Sequence, residues 1–113
     1  MDFTFTSKKL KKQLTDSKKM LKTFGKKTAG KLKLRLGVMR QAKCLDDVPK
    51  DIPDRCHQLT GNHDERFAVI LHDNKRLVFE PDHDPMPRKE DGGIDLTKVT
   101  TVKFRGVVDY HGN

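Results

Sequence analysis

The sequence predicts an α+β fold in which helices pack on one face of a small antiparallel sheet. Three observations carry that expectation. The first 45 residues set periodic leucines in a lysine-rich background, the pattern of amphipathic helices. From Arg66 onward, short runs of β-branched and aromatic residues are separated by turn formers, the pattern of strands. Between the two, Asp46-Asp47-Val48-Pro49-Lys50-Asp51-Ile52-Pro53-Asp54 is a linker with two prolines. Helices and strands that segregate along a chain mark an α+β domain.

In chain order, Asp2-Phe3-Thr4-Phe5-Thr6 alternates polar and apolar residues and predicts a short first strand. Ser7 is placed to cap a helix in which Leu10, Leu14, Leu21 and Phe24 share one face, and Gly25 stops it. A second helix is expected from about Lys27 to Lys43, with Ala29, Leu32, Leu36 and Met39 on one face. Gly30 costs about 1 kcal/mol inside a helix relative to alanine, which favours a start after it. Lys31 to Leu36 alternates as a strand would, but the helical pattern around it is longer and has no turn residues.

After the linker, Arg55 to Leu59 leads into the turn Thr60-Gly61-Asn62. Arg66 to His72 and Lys75 to Glu80 are expected as strands joined at Asp73-Asn74, a pair that tolerates positive φ. Residues 81–98 form a long loop punctuated by Pro81, Pro85, Pro87 and Gly92-Gly93, and loops of that length in small domains are usually functional. The chain ends in a strand from Val102 to His111 that delivers an acid, a phenol and an imidazole to one sheet edge. The expected order is β-α-α-β-β-β in one domain spanning 1–113. It comprises a basic helical hairpin at 7–45 and an antiparallel sheet at 55–111.

A chain of 113 residues with 34% hydrophobic and 35% charged residues and no tryptophan supports one small core. The net charge of +8 is unevenly spread. Residues 1–45 hold 14 of the 24 Lys and Arg but only Asp2 and Asp16 among the 16 acids, a net +12 against −4 for the remainder. Such a basic half points to a polyanionic partner, and RNA fits better than a membrane because no bulky apolar face accompanies the charge. Lys-rich helices that are merely soluble have the same composition. Cys44 and Cys56 lack the paired-ligand spacing of a zinc site, and there is no signal-peptide core or membrane-length apolar run. The expectation is a cytoplasmic protein with reduced thiols, no metal and no cofactor.

Three stretches, Arg55-Cys56-His57-Gln58-Leu59-Thr60-Gly61-Asn62, Lys75-Arg76-Leu77-Val78-Phe79-Glu80-Pro81 and Val107-Val108-Asp109-Tyr110-His111, together resemble the RelE/ParE superfamily of bacterial toxins. More narrowly they resemble its HigB-like, or plasmid maintenance killer, branch. That resemblance covers nearly the whole chain and implies the toxin of a type II toxin-antitoxin system. Such a toxin is an mRNA interferase that enters the ribosomal A site, cuts the codon there and so blocks translation. Its implied partners are the ribosome, mRNA and a helix-turn-helix antitoxin, with operator DNA reached only through the antitoxin complex. The residues implied in catalysis are His57, Arg76, Asp109, Tyr110 and His111. Ribosomal RNA phosphates would meet Lys8, Lys11, Lys12, Lys18, Lys19, Lys22, Lys31 and Lys33. Two positions depart from the pattern: Thr60 stands where many relatives have Lys, and Ile70 where some have Arg.

Metal-free RNA cleavage uses the substrate's own 2′-hydroxyl as nucleophile. It needs a base for that hydroxyl, an acid for the departing 5′-oxygen and a cation for the charge growing on the phosphate. Imidazole supplies base and acid near neutral pH. His57 and His111 are therefore the expected acid/base pair, with Arg76 as phosphate clamp. Tyr110 orients or stacks on a base, and Asp109 holds an imidazole tautomer. Plainer roles remain open: His57 as a turn hydrogen-bonder, Arg76 in a same-face ion pair with Glu80, Tyr110 packing its ring. His63, His72 and His83 beside Asp64, Asp73 and Asp84 read as solvated turn residues. Two other functions stay in view. Thr60 and Ile70 favour a catalytically weakened homologue that acts with its antitoxin as a repressor module; ranked last is a ParE-like gyrase inhibitor, which shares the fold without RNA chemistry.

Overall fold

The computed structural model describes residues 1–61 and 65–110. Asn62, His63, Asp64 and His111, to which the sequence assigns a turn and a catalytic role, lie outside the described residues. The fold is α+β, with three helices on one face of a five-stranded mixed sheet. In chain order the elements are β1 (Asp2–Phe5), α1 (Lys8–Thr15), α2 (Ser17–Phe24), α3 (Lys26–Gln41), β2 (His57–Gln58), β3 (Phe67–Ile70), β4 (Lys75–Pro81) and β5 (Thr101–Asp109). Short 3-10 turns sit at Leu45–Asp47 and Leu96–Lys98. Among the described residues no helix is long and apolar enough to cross a membrane.

Where one long first helix was expected, there are two. Asp16 breaks it: its backbone is extended (φ −102°, ψ 115°), and its carboxylate accepts from the Lys18 and Lys19 N–H groups at 2.9 and 3.2 Å. An aspartate that competes for backbone donors in this way starts a new helix instead of continuing the old one. The break resets the helical phase. Leu10 and Leu14 are buried as expected, but in α2 the buried residue is Met20, while Leu21 is 51% exposed. Gly25, at φ +82°, then turns the chain directly into α3, which runs through Gly30. The alternating run Lys31 to Leu36 is helical, so Leu34 points to solvent and Arg35 is buried.

The sheet order is β1-β5-β4-β3-β2. The expected all-antiparallel sheet is corrected to a mixed one, because β1 lies parallel to β5 with Phe3 opposite Val102 and Phe5 opposite Phe104. The first and last strands can run parallel because three helices and three strands lie between them, ample length for a crossover. The β3–β4 hairpin turns at Asp73, whose φ of +56° is the left-handed conformation the Asp-Asn pair suggested. A bulge between Val78 and Phe79 sets Arg105 aside from the β4–β5 register, and Gly106 accommodates it at φ +147°. The displaced Arg105 bonds Glu80 at 2.6 Å. Glu80 is therefore not the partner of Arg76.

One face of the sheet builds the core. Phe67, Phe79, Phe104 and Phe3 stand in successive ring contacts across four strands, with centroids 6.1, 6.0 and 4.8 Å apart. They pack with Leu10, Leu14, Met20, Leu32 and Met39 from the helices. The long connection to β5 is more ordered than its composition suggested. Arg88 forms a bridge with Ile94 and a two-pronged ion pair with Glu65 at 2.7 and 3.1 Å. His83 is more than a solvated turn residue: its Nε2 accepts from the Thr100 and Thr101 N–H groups at 3.0 and 3.3 Å. Replacing Asp16 by Ala removes the cap of α2 and should cost about 1 kcal/mol of stability, read as a lower denaturant midpoint at unchanged slope.

Candidate functional site

Register fixes which side chains share the sheet face away from the helices. Cross-strand partners lie on the same face, and residues two apart along a strand do too. One row is His57, Ala68, Val78 and Gly106; the next is Ile70, Arg76 and Val108. His57 and Arg76 are thus on one face, two strands and two residues apart. A strand spacing of ~4.8 Å and a rise of ~3.3 Å per residue put their Cα atoms about 12 Å from each other. Ala68 and Val78 between them are buried.

The local geometry of each group limits its chemistry. His57 Nδ1 lies 2.7 Å from the Arg55 carbonyl oxygen, which only accepts, so Nδ1 donates there, and among the described residues no group bonds Nε2. Arg55 reaches that position through a left-handed backbone, φ +46°. The Arg76 guanidinium folds back on the hairpin, donating to the carbonyls of Lys75 at 3.0 Å and Asp73 at 3.5 Å. Among the described residues no carboxylate lies within ion-pair distance of Arg76. Its charge therefore remains for an anion on that face.

The end of β5 divides. Asp109 is opposite Lys75, with its carboxylate 4.0 Å from the Lys75 ammonium, and alternation sets it on the other face from Arg76. Tyr110 donates its N–H to Asn74 O at 3.0 Å, tying the strand end to the hairpin turn beside Arg76. The structure thus brings His57 and Arg76 to one face of the sheet, sets Asp109 on the other, and fixes only the backbone of Tyr110, beside the hairpin turn. The two departing positions fall differently. Thr60 is exposed near the turn, whereas Ile70 is the direct cross-strand neighbour of Arg76.

All eight lysines expected to meet RNA are exposed, but they do not form one surface. Lys12, Lys19 and Lys22 gather between α1 and α2. Lys8 and Lys11 lie beside β1, and Lys33 lines a groove with Phe3, Phe5 and Arg40. Arg40 sits 4.3 Å from the centre of the Phe3 ring.

Sequence reading missed the residues that hold His57 in place. Arg35 is buried in α3; its Nε donates to Ile70 O at 2.7 Å and its guanidinium lies 3.8 Å from buried Asp54. Asp54 O in turn accepts from Ile70 N–H at 3.0 Å. This knot joins the helix layer to the segment that becomes β2. The signal was present, since Arg35 keeps the spacing Leu32, Arg35, Met39 of the buried face. Next to His57, burial pushes the Cys56 thiol up to about 12. Cys56 also lines a cleft of about 400 Å³ with Leu45, Phe67 and Leu96.

No family model matches the chain, and no curated protein matches it.

Arg35→Met should destabilise the fold by about 3–5 kcal/mol, because Asp54 is left buried and uncompensated, and adding Asp54→Leu should recover most of the loss in a denaturation series. The raised thiol pKa means that the unfolded state loses its proton first. Stability from Cys56 is therefore complete below the ordinary value of 9.0 and is lost as pH rises towards about 12. In the native protein at pH 8, iodoacetamide should label half-buried Cys44 and spare Cys56.

Proposed function

We propose that the chain is a ribosome-dependent mRNA endoribonuclease, the toxin of a type II toxin-antitoxin pair, acting through the sheet face that carries His57 and Arg76. The observation that carries this reading is their placement on one face: an imidazole whose Nε2 no described residue bonds, and an arginine that no described carboxylate neutralises. A neutral imidazole takes a proton, and a fork of guanidinium N–H groups grips a phosphate. The resemblance to HigB-like toxins supplies the remainder, a RelE-like topology and a cytoplasmic setting. It also supplies the antitoxin, with operator DNA contacted only through the toxin-antitoxin complex.

On this reading His57 Nε2 removes the proton from the 2′-hydroxyl of the RNA. The 2′-oxygen attacks the adjacent phosphorus while the bond to the 5′-oxygen breaks, and that oxygen takes a proton from His111. The products are a 2′,3′-cyclic phosphate and a 5′-hydroxyl. Arg76 holds the non-bridging oxygens as their charge grows. Tyr110, whose backbone is tied to the hairpin turn at Asn74, stacks on or orients a base. Asp109, directed towards Lys75, acts at the rim. The ribosome brings the phosphate to a site whose two main groups stand about 12 Å apart at Cα.

One feature favours the weakened-homologue reading: Ile70 fills the place beside Arg76 where a second cation would assist. Activity separates the two. In a translating extract the intact chain should cut mRNA, and His57→Ala or Arg76→Ala should each slow cleavage by about 10²–10⁴-fold. Arg76→Lys should recover little, because a point charge lacks the bidentate fork. Cleavage that survives both alanine substitutions would remove His57 and Arg76 from the mechanism, and an inactive intact chain would favour the repressor module.

A further inference from the structure

We propose that the groove between β1 and α3 binds a medium-chain carboxylate, with the Arg40 guanidinium on its carboxyl group and its hydrocarbon chain along Phe3 and Phe5. The proposal is independent of any action on RNA. The groove encloses about 360 Å³, near the lower end of the range for small-ligand sites, so it suits a small molecule better than a stretch of polypeptide. Three elements build it. Phe3 and Phe5 are two apart on β1 and so share a face. Lys33, Leu36, Gly37 and Arg40 follow the i, i+3, i+4, i+7 spacing of one side of α3. The break at Asp16 supplies the third wall, since Leu14 from the end of α1 and Met20 from α2 both reach it.

The lining dictates the two ends of the ligand. Its floor is hydrocarbon, made by buried Leu14 and Met20 and by partly buried Phe3, Phe5 and Leu36. Arg40 is the charged end. Its guanidinium lies over the Phe3 ring, 4.3 Å from the centroid, which holds the planar fork against the groove wall. Among the described residues no carboxylate comes within 4.0 Å of it, and no side chain or carbonyl accepts from it. The lining contains no acid, so a carboxylate on that fork gains a two-pronged, charge-assisted bond and meets no repulsion. Lys33, about 10 Å further back along α3, adds long-range attraction without touching the carboxyl group. The groove also has no amide or carboxylate to pair with the edge of a base, so an aliphatic chain fills it better than a nucleotide.

Gly37 keeps the floor open. Glycine is a poor helix former, and nothing crowds it here: a Cβ built on Gly37 meets no atom within 4 Å. No packing contact requires the residue, yet a larger side chain at that point would project into the groove. Gly30 is equally uncrowded and stands two turns earlier on the same side of α3, but it lies outside the lining. It is therefore the matching control.

The test is calorimetric titration of the full chain with sodium octanoate, with octanol and octylammonium as probes of the two ends. Octanoate should bind at one saturable site, octanol about tenfold more weakly, and octylammonium not measurably. Arg40→Gln should weaken octanoate about tenfold and leave octanol unchanged, a split that general loss of structure does not produce. Gly37→Leu favours the helix while filling the floor, and should abolish binding of both. Gly30→Leu, and Lys98→Gln as a charge removed elsewhere, should bind octanoate as the unaltered chain does. The proposal is overturned if octanoate fails to saturate, if octylammonium binds as well as octanoate, or if Gly37→Leu keeps its affinity. Equal losses in Arg40→Gln and Lys98→Gln would reduce the effect to overall charge and overturn it too. A dimer that Gly37→Leu turns into a monomer would assign the groove to a second copy of the chain, against the proposal.

Discussion

Everything in this molecule depends on β5 being held from both sides, by β1 in parallel and by β4 antiparallel. The row of phenylalanines makes that placement stable. Phe3, Phe104, Phe79 and Phe67 come from four strands, of which only β3 and β4 are neighbours in sequence, and their edge-to-face and stacked contacts tie the strands together. Each aromatic pair adds about 0.5–1.5 kcal/mol beyond the area it buries. The same register has a consequence on the opposite face. With the phenylalanines committed to the helices, Arg76, Val108 and His57 must face away from them.

Much of the fold was legible in the sequence because the relevant signals are local. The β3–β4 hairpin followed from Asp73-Asn74, and the helices of residues 8–41 from leucine spacing. What local signals do not encode is pairing between remote segments, and so the parallel union of β1 with β5 was unforeseen. The break at Asp16 was a different failure. Its competing side-chain acceptor was visible, but the leucine period on either side nearly matched, and the match concealed the change of phase that exposes Leu21.

The candidate site shows the same division. Resemblance supplied His57 and Arg76, and the strand register gives them a shared face. It could not supply the support behind them. Arg35, Asp54 and the Arg55 carbonyl act through burial and backbone bonds that join α3, the linker and β3. A buried arginine in a helix rich in surface lysines looks like one more soluble charge until its spacing with Leu32 and Met39 is weighed. Asp109 came from the same resemblance, and strand alternation sets its carboxylate beside Lys75, on the other face from Arg76.

The central claim is that the face bearing His57 and Arg76 cuts messages on the ribosome. Its most direct test is to express the chain alone in bacteria and map the 5′ ends of messages with and without ongoing translation. The account predicts new 5′-hydroxyl ends at A-site codons that vanish when translation is stopped. Growth arrest with intact messages and disturbed DNA supercoiling would contradict it and point to gyrase.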